Sequence, residues 1–129
     1  MARRQVFMKT NILDYLETTE SRFPDKTAVT DGEKKYSYTI VKENAQKIGS
    51  ALSYMTSPRS PVGIFADKSA DILCAFFGTV YAGCFYCTLS PQLPETRTLK
   101  TYSVLAPEVI ITTEENKETA SRLFKYSKI

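Results

Sequence analysis

The stretch 61-PVGIFADKSADILCAFFGTVYAGCFYCTLSP-91 decides the fold. It opens on a short apolar run, Val62 to Ala66, about the length of a buried strand, and turns a polar corner at Asp67-Lys68-Ser69. Ile72 to Ala82 follows, apolar on nearly every side, with Gly83 where a helix would stop. A second strand-like run, Phe85 to Leu89, ends at Ser90-Pro91. Strand, buried helix and strand make a βαβ unit, which implies a parallel sheet covered on both faces. A helix that is apolar all round is either sandwiched or embedded in lipid. About eleven residues fall short of the roughly 20 that cross a bilayer, so this helix is core.

Upstream, residues 12 to 22 read as a helix with Asn11 as N-cap, with Ile12, Leu13, Leu16 and later Phe23 on one face, ended by Pro24-Asp25. Ala28-Val29-Thr30, Asp31-Gly32 and Lys35 to Tyr38 read as two strands around a tight turn, since Asp-Gly between strand-like runs signals a hairpin. Glu33-Lys34-Lys35 leave its register open. A long helix follows on the stripe Val41, Ala45, Ile48, Leu52 and Met55, capped by Ser37 or Thr39 and stopped at Thr56-Ser57-Pro58. The stripe is too short for a coiled-coil seam, so this helix should lie on a sheet.

Downstream, Pro94 sits where first helical residues favour proline, with Glu95 beside it. Leu99, Tyr102 and Leu105 give that helix an apolar face, and Pro107 breaks it. Val109 to Thr112 is a third buried strand, and Glu114 to Lys125 is amphipathic on Ala120, Leu123 and Phe124. No closing element is visible at Lys128-Ile129. The fold class is therefore α/β: a three-layer sandwich with a mostly parallel sheet and right-handed crossovers, preceded by a helix and a β-hairpin. Residues 1–10 read as a flexible N-terminal extension, with Met8 as an alternative start, and 11–129 as one α/β domain.

Composition narrows the function. Hydrophobic content of 43% against 24% charged suits a globular protein with a real core. A net charge of +3, with bases and acids interspersed, gives no footprint for nucleic acid. No signal peptide or lipidation motif is present, so the chain reads as cytoplasmic, with no membrane partner. The chain has no His, which excludes His-based triads, His metal sites and His acid–base catalysis. Cys84 and Cys87 have CxxC spacing, but an offset of three in a strand points them to opposite faces. Their Cα atoms would lie roughly 10 Å apart, beyond disulfide reach. With only Cys74 to spare, zinc lacks ligands, and small buried apolar cysteines are the plain reading.

None of the five glycines forms a phosphate cradle, and no Asp, Glu or Cys cluster has metal spacing. Open parallel sheets bind ligands beyond the carboxyl ends of their strands, which here means Asp67-Lys68-Ser69, Ser90 and Thr112-Thr113. Asp67 is the candidate ligand contact; the competing reading is that Asp67 or Ser69 caps the next helix. A phosphoacceptor receiver would need further acids beside Asp67 and a Lys after a later strand, where Thr112-Thr113 stands. A flavin site would need hydroxyls and glycines where Asp67 and Asp71 place carboxylates that repel phosphate.

Tyr81-Ala82-Gly83-Cys84-Phe85-Tyr86-Cys87-Thr88-Leu89-Ser90-Pro91 resembles the second core motif of adenylate-forming, AMP-binding enzymes: Ala82, Gly83, Tyr86, Leu89 and Pro91 match, while Tyr81, Cys87, Thr88 and Ser90 depart. Ser37-Tyr38 through Leu52 resembles the first core motif and its helix. Phe23 to Val29 is similar to the family's opening, and Glu95-Thr96-Arg97 to Ile110-Ile111-Thr112 to its continuation. The likeness covers about residues 11 to 125. It implies a ligase using ATP and magnesium to form an acyl-adenylate, then passing the acyl group to a thiol on a phosphopantetheine carrier protein or coenzyme A. Asp67-Lys68-Ser69 resembles the corner of amino-acid-activating members, the nonribosomal peptide synthetase adenylation domains and D-alanine–carrier protein ligases. The family's phosphate loop and its catalytic motifs are not among these residues. No catalytic, cofactor-binding or metal residue is therefore assigned, and ATP and magnesium are expected of a longer parent.

Two readings follow. The chain is a fragment of such a ligase, inactive alone, whose partner is the rest of the parent; or it is a free-standing binding module without catalysis. The fragment reading carries a further expectation: whichever strand run lies outermost has an unpaired edge open to self-association, and the last helix, with Leu123 and Phe124, lacks a layer to pack against.

Overall fold

The computed structural model describes residues 11–129, so the readings on residues 1–10 lie outside the described residues. Helix α1 (Ile12–Arg22) starts where Asn11 accepts a hydrogen bond from the Leu13 amide, as its N-cap role requires. Only Leu16 of its expected apolar face is buried; Ile12 and Phe23 stand about half exposed. The hairpin β1 (Thr27–Asp31) and β2 (Lys34–Ser37) pairs Asp31 with Lys34 around Gly32-Glu33. Gly32 takes φ 56 while Glu33 does not turn positive, the pattern of a II′ turn with glycine first. Tyr38, read as strand, instead opens helix α2 (Tyr38–Met55), because Ser37 caps it by accepting from the Ile40 amide.

The decisive stretch forms β3 (Pro61–Phe65), α3 (Ala70–Tyr81) and β4 (Phe85–Leu89), with β3 one residue earlier than expected. After it come α4 (Glu95–Leu105), β5 (Val109–Thr112), a 3-10 turn (Glu114–Asn116) and the short α5 (Lys117–Leu123). The sheet is parallel, in the order β4-β3-β5. Its two faces separate by alternation. Phe65, Leu89 and Ile110 face Tyr102 of α4, Ala120 of α5 and Phe124. Val62 and Val109 face Leu52 of α2, and Ile64 faces Ile72 and Ala75 of α3. Ile48 of α2 reaches three of the four clusters, and α1 lies outside α2 and α3 through Leu16 against Val41 and Cys74. This is the three-layer sandwich. Only Asp71 of α3 is exposed, so the helix is core.

Gly83 ends α3 as its position suggested. It takes φ 76; its amide donates to the Val80 carbonyl and that of Cys84 to Thr79, the two bonds of a Schellman cap. Two other glycines hold α2 and α3 together. A Cβ on Gly49 would lie 2.7 Å from Tyr81 Cβ, and one on Gly78 would lie 2.6 Å from Ile48 Cβ.

Several expectations are corrected. β4 is not sandwiched: β3 takes the centre, and Phe85 and Tyr86 of β4 are exposed. In α4, Thr98 rather than Leu99 joins Tyr102 inside, and Pro94 occupies the N-cap instead of the first helical position. The last helix does not lack a layer. Phe124, just past its end, is 1% exposed and meets the ring of Phe65 edge-on at 5.1 Å and that of Tyr102 at 4.8 Å. Lys128 bridges to Val109, its amide donating to Glu108 O and its carbonyl accepting from the Ile110 amide, so the outer side of β5 is partly closed.

Candidate functional site

The carboxyl ends of β3 and β4 open into a cavity of about 650 Å³. Ile64, Ile72 and Phe76 form its apolar wall; Asp67, Lys68, Ser69, Ser90 and Gln92 form its polar rim. Four of the six residues named by the sheet-edge argument therefore converge. Thr112 and Thr113 do not: they line a separate cavity beside β5. Their hydroxyls serve the backbone and a turn. Thr112 Oγ1 donates to the Phe65 carbonyl at 2.7 Å, and Thr113 Oγ1 accepts from Asn116 Nδ2 at 3.0 Å.

Both readings of the polar corner have a share. Ser69, extended at φ -160 and ψ 170, is the N-cap of α3 and accepts from the Ile72 amide at 3.3 Å. Asp67 is not a cap. Its Oδ1 accepts from Gln92 Nε2 at 2.9 Å, while Ser90 Oγ accepts from the Gln92 amide at 3.1 Å, so Gln92 ties the two strand ends together. Lys68 is exposed and makes no ion pair among the described residues.

The residues that sequence reasoning missed lie on the hairpin. Asp31 Oδ2 accepts from the Ala70 amide at 2.6 Å, adding a carboxylate to the first turn of α3. Asp71 accepts from the Tyr36 hydroxyl at 2.6 Å and from the Lys34 ammonium at 2.9 Å. The Tyr36 hydrogen bond, then that of Lys34, holds the Asp71 carboxyl below its ordinary range; the same contact raises both Tyr36 and Lys34. The local signal at Asp31 was the Asp-Gly turn, and nothing nearby in sequence points across 39 residues to Ala70.

This arrangement can hold hydrogen-bond donors better than phosphate. A helix N-terminus attracts anions through unpaired amides, but at α3 the Ala70 amide already donates to the Asp31 carboxylate and the Ile72 amide to the Ser69 hydroxyl, and Asp71 adds a second carboxylate in the first turn. Among the described residues no group of three His, Cys, Asp or Glu side chains could hold a metal ion, and the cysteines Cys74, Cys84 and Cys87 are free thiols. Burial, then the nearby Asp71 charge, pushes the Cys74 thiol up. Among the described residues no helix is long and apolar enough to cross a membrane.

A family model described as "AMP-binding enzyme" matches residues 16–128. The phosphinothricin tripeptide synthetase PhsC of Streptomyces viridochromogenes is 32% identical over 83 residues, covering 64% of this chain and 8% of that protein. Among solved structures, the anthranilate CoA ligase AuaEII in complex with anthranoyl-AMP superposes at a TM-score of 0.83 and 20% identity, covering 99% of this chain and 26% of that one. The AMPPNP bound form of the nonribosomal peptide synthetase FmoA3 superposes at 0.75 and 21%, covering 81% and 11%. These structural likenesses concern the fold, and the chain spans a small part of each relative.

Proposed function

The chain belongs to the AMP-binding enzyme family, and on that premise we propose that it is the opening part of a ligase that activates a carboxylate as its adenylate and passes it to a thiol. The observation that carries this reading is the family match running through 113 successive positions, residues 16–128, in step with the α/β order of the fold. Relatives named as peptide synthetases and as CoA ligases support a thiol acceptor, on a carrier protein or on coenzyme A. The remainder of the parent enzyme is then the chain's main partner. Its place of work is the cytoplasm.

ATP and magnesium are expected of the parent, and an ATP-analogue-bound relative supports that. The residues described do not themselves fit a nucleoside triphosphate, because at the start of α3 the Ala70 and Ile72 amides already donate to Asp31 and Ser69 and two carboxylates stand there. No chemical step is therefore routed through this chain, and none of its residues is assigned to the reacting atoms. Its contribution is a rigid sheet and the α2–α3 layer. The binding-module alternative has no comparable observation behind it.

Two measurements test the proposal. Calorimetry of the chain with ATP and magnesium should show no binding tighter than about 100 μM, roughly 5.5 kcal/mol; tighter binding overturns the inactive-fragment reading. The encoding reading frame should continue into a Ser-, Thr- and Gly-rich loop, and its full product should catalyse carboxylate-dependent exchange of pyrophosphate into ATP. A full product without that exchange overturns the ligase reading.

A further inference from the structure

Lys128 forms one rung of a parallel ladder on the outer side of β5. Its amide donates to the Glu108 carbonyl at 2.8 Å and its carbonyl accepts from the Ile110 amide at 2.8 Å, which sets Lys128 in register with Val109. The side chain adds an anchor. Lys128 Nζ donates to the Met55 carbonyl at 3.3 Å, one of the carbonyls that the last turn of α2 leaves without a helical partner. Between β5 and this rung, Thr113 to Ser127 carry the 3-10 turn and α5, long enough for the crossover of about a dozen residues that a parallel return requires.

The rung fixes what comes next on that side. In a parallel ladder both backbone groups of alternate residues point the same way, so the Ile110 carbonyl and the Thr112 amide face outward, as the Ile110 amide does. Val109 packs on Leu52 of α2, and Lys128, in register with it, reaches the same helix. Further along, Ile48, Leu52 and Met55 of α2 and Ile111 of β5 line a cavity of about 420 Å³ that Ile129 borders. β5 itself is built for an interior place: Val109–Thr112 carries no charge and no proline, the devices by which exposed edges are blunted.

Resting on the reading that the chain opens a longer parent, we infer that the parent's segment directly after Ile129 is a fourth strand of this sheet, parallel to β5, in the order β4-β3-β5 and then the new strand. The second residue past Lys128 donates to the Ile110 carbonyl, accepts from the Thr112 amide and lies in register with Ile111. Its side chain enters the α2 cavity and is therefore apolar. The rung itself selects the occupant. A second copy or a foreign peptide pairing along β5 must first displace Lys128 from two backbone bonds and from Met55, whereas the continuing chain extends them. Because the new strand runs parallel, its carboxyl end emerges at the sheet edge of Asp67, Ser90 and Thr112. The loop after it then joins the edge where open parallel sheets bind ligands.

The reading frame and amide hydrogen exchange test this. The codons after Ile129 should place an apolar residue second past Lys128; a proline or a charged residue there overturns the inference. Exchange is read by mass spectrometry with fragmentation to single amides. In the chain ending at Ile129, the Ile110 amide should be protected and the Thr112 amide should exchange freely. In the full product of the reading frame, Thr112 should slow by about a hundredfold or more; equal exchange in the two overturns the inference. Proline placed second past Lys128 should return Thr112 toward the rate in the shorter chain, and a Thr112 still slow in that variant points to a covering layer instead of a paired strand and overturns it too. Should that variant not fold, the comparison of the two lengths decides. Pyrophosphate exchange reads the ligase proposal separately. An active full product with Thr112 unchanged overturns this inference alone, and an inactive one with Thr112 protected overturns the ligase reading alone. A reading frame that stops at Ile129 overturns both.

Discussion

Replacing Gly78 by Ala should destabilise the protein, although the same change in an open helix would stabilise it. Gly78 lies inside α3, where alanine favours the helix by about 1 kcal/mol. Against that, the new methyl would sit 2.6 Å from both Cβ and Cγ2 of Ile48 and 2.9 Å from the Ala45 carbonyl. None of these atoms can swing away: two are held at the branch of a β-branched side chain, and the third is backbone of α2. Restoring contacts of about 3.5 Å or more requires the two helices to part by roughly 1 Å. Overpacking of this kind costs about 1–3 kcal/mol, and the loosened α2–α3 layer forfeits dispersion along its length. A net loss of about 1–2 kcal/mol remains, which lowers the urea midpoint by roughly 0.5–1 M at a slope near 2 kcal/mol/M. Gly49→Ala meets Tyr81 Cβ at 2.7 Å and the Gly78 carbonyl at 2.9 Å across the same contact. One parting of the helices relieves both clashes, so the double variant should lose less than the sum. A midpoint for Gly78→Ala equal to or above that of the parent chain refutes the close approach, and strict additivity refutes the shared relief.

Gly83→Val should lose about 1–2 kcal/mol in the same assay, since φ 76 is strained for a residue with Cβ; an unchanged midpoint would refute the left-handed cap. Because Asp71 titrates below its ordinary value of 3.8, its contribution is complete above about pH 4 and disappears as acid passes through the lower folded value. Asp71→Asn should remove that part of the acid slope, and an identical slope would show that the Tyr36 and Lys34 contacts are not formed in solution. Tyr81 is pushed up to about 12, first by burial and then by the Glu17 carboxylate that accepts its hydroxyl. Its contribution is present below the ordinary value of 10.0 and is lost as pH rises through about 12, so Tyr81→Phe should flatten alkaline unfolding monitored by circular dichroism.

What was legible in the sequence was local. The strand at Phe85 to Leu89, the third at Val109 to Thr112 and the first helix lie where short apolar runs, caps and prolines placed them. The order of strands in the sheet is a tertiary choice, and for that reason the apolar β4 could be read as buried when it lies at an edge. Gly49 and Gly78 escaped notice because a glycine inside a helical pattern gives no sign of the neighbour it admits. Their partners stand on a different helix, far along the chain, and only the crossing of α2 and α3 brings them together. For the site, the sheet-edge rule found Asp67, Ser69 and Ser90 together but could not separate them from Thr112, whose hydroxyl the backbone of β3 claims.

The carboxylates around the start of α3 bear directly on what this corner of the fold does. A strand–corner–helix with a serine cap has the form of an anion site, and its amides would hold phosphate if they were free. Here Asp31 reaches from the hairpin to the Ala70 amide, and Asp71 reaches back to Tyr36 and Lys34. Each of the two segments thus supplies an acid to the other. The contacts bind β1 and β2 to the layer formed by α2 and α3, which the hairpin otherwise touches through Ala28, Val29 and Tyr36 against Cys74 and Val41. The same charge that closes the helix end to phosphate fixes the hairpin's position. The corner is built as a joint between two units of the fold rather than as an open anion site.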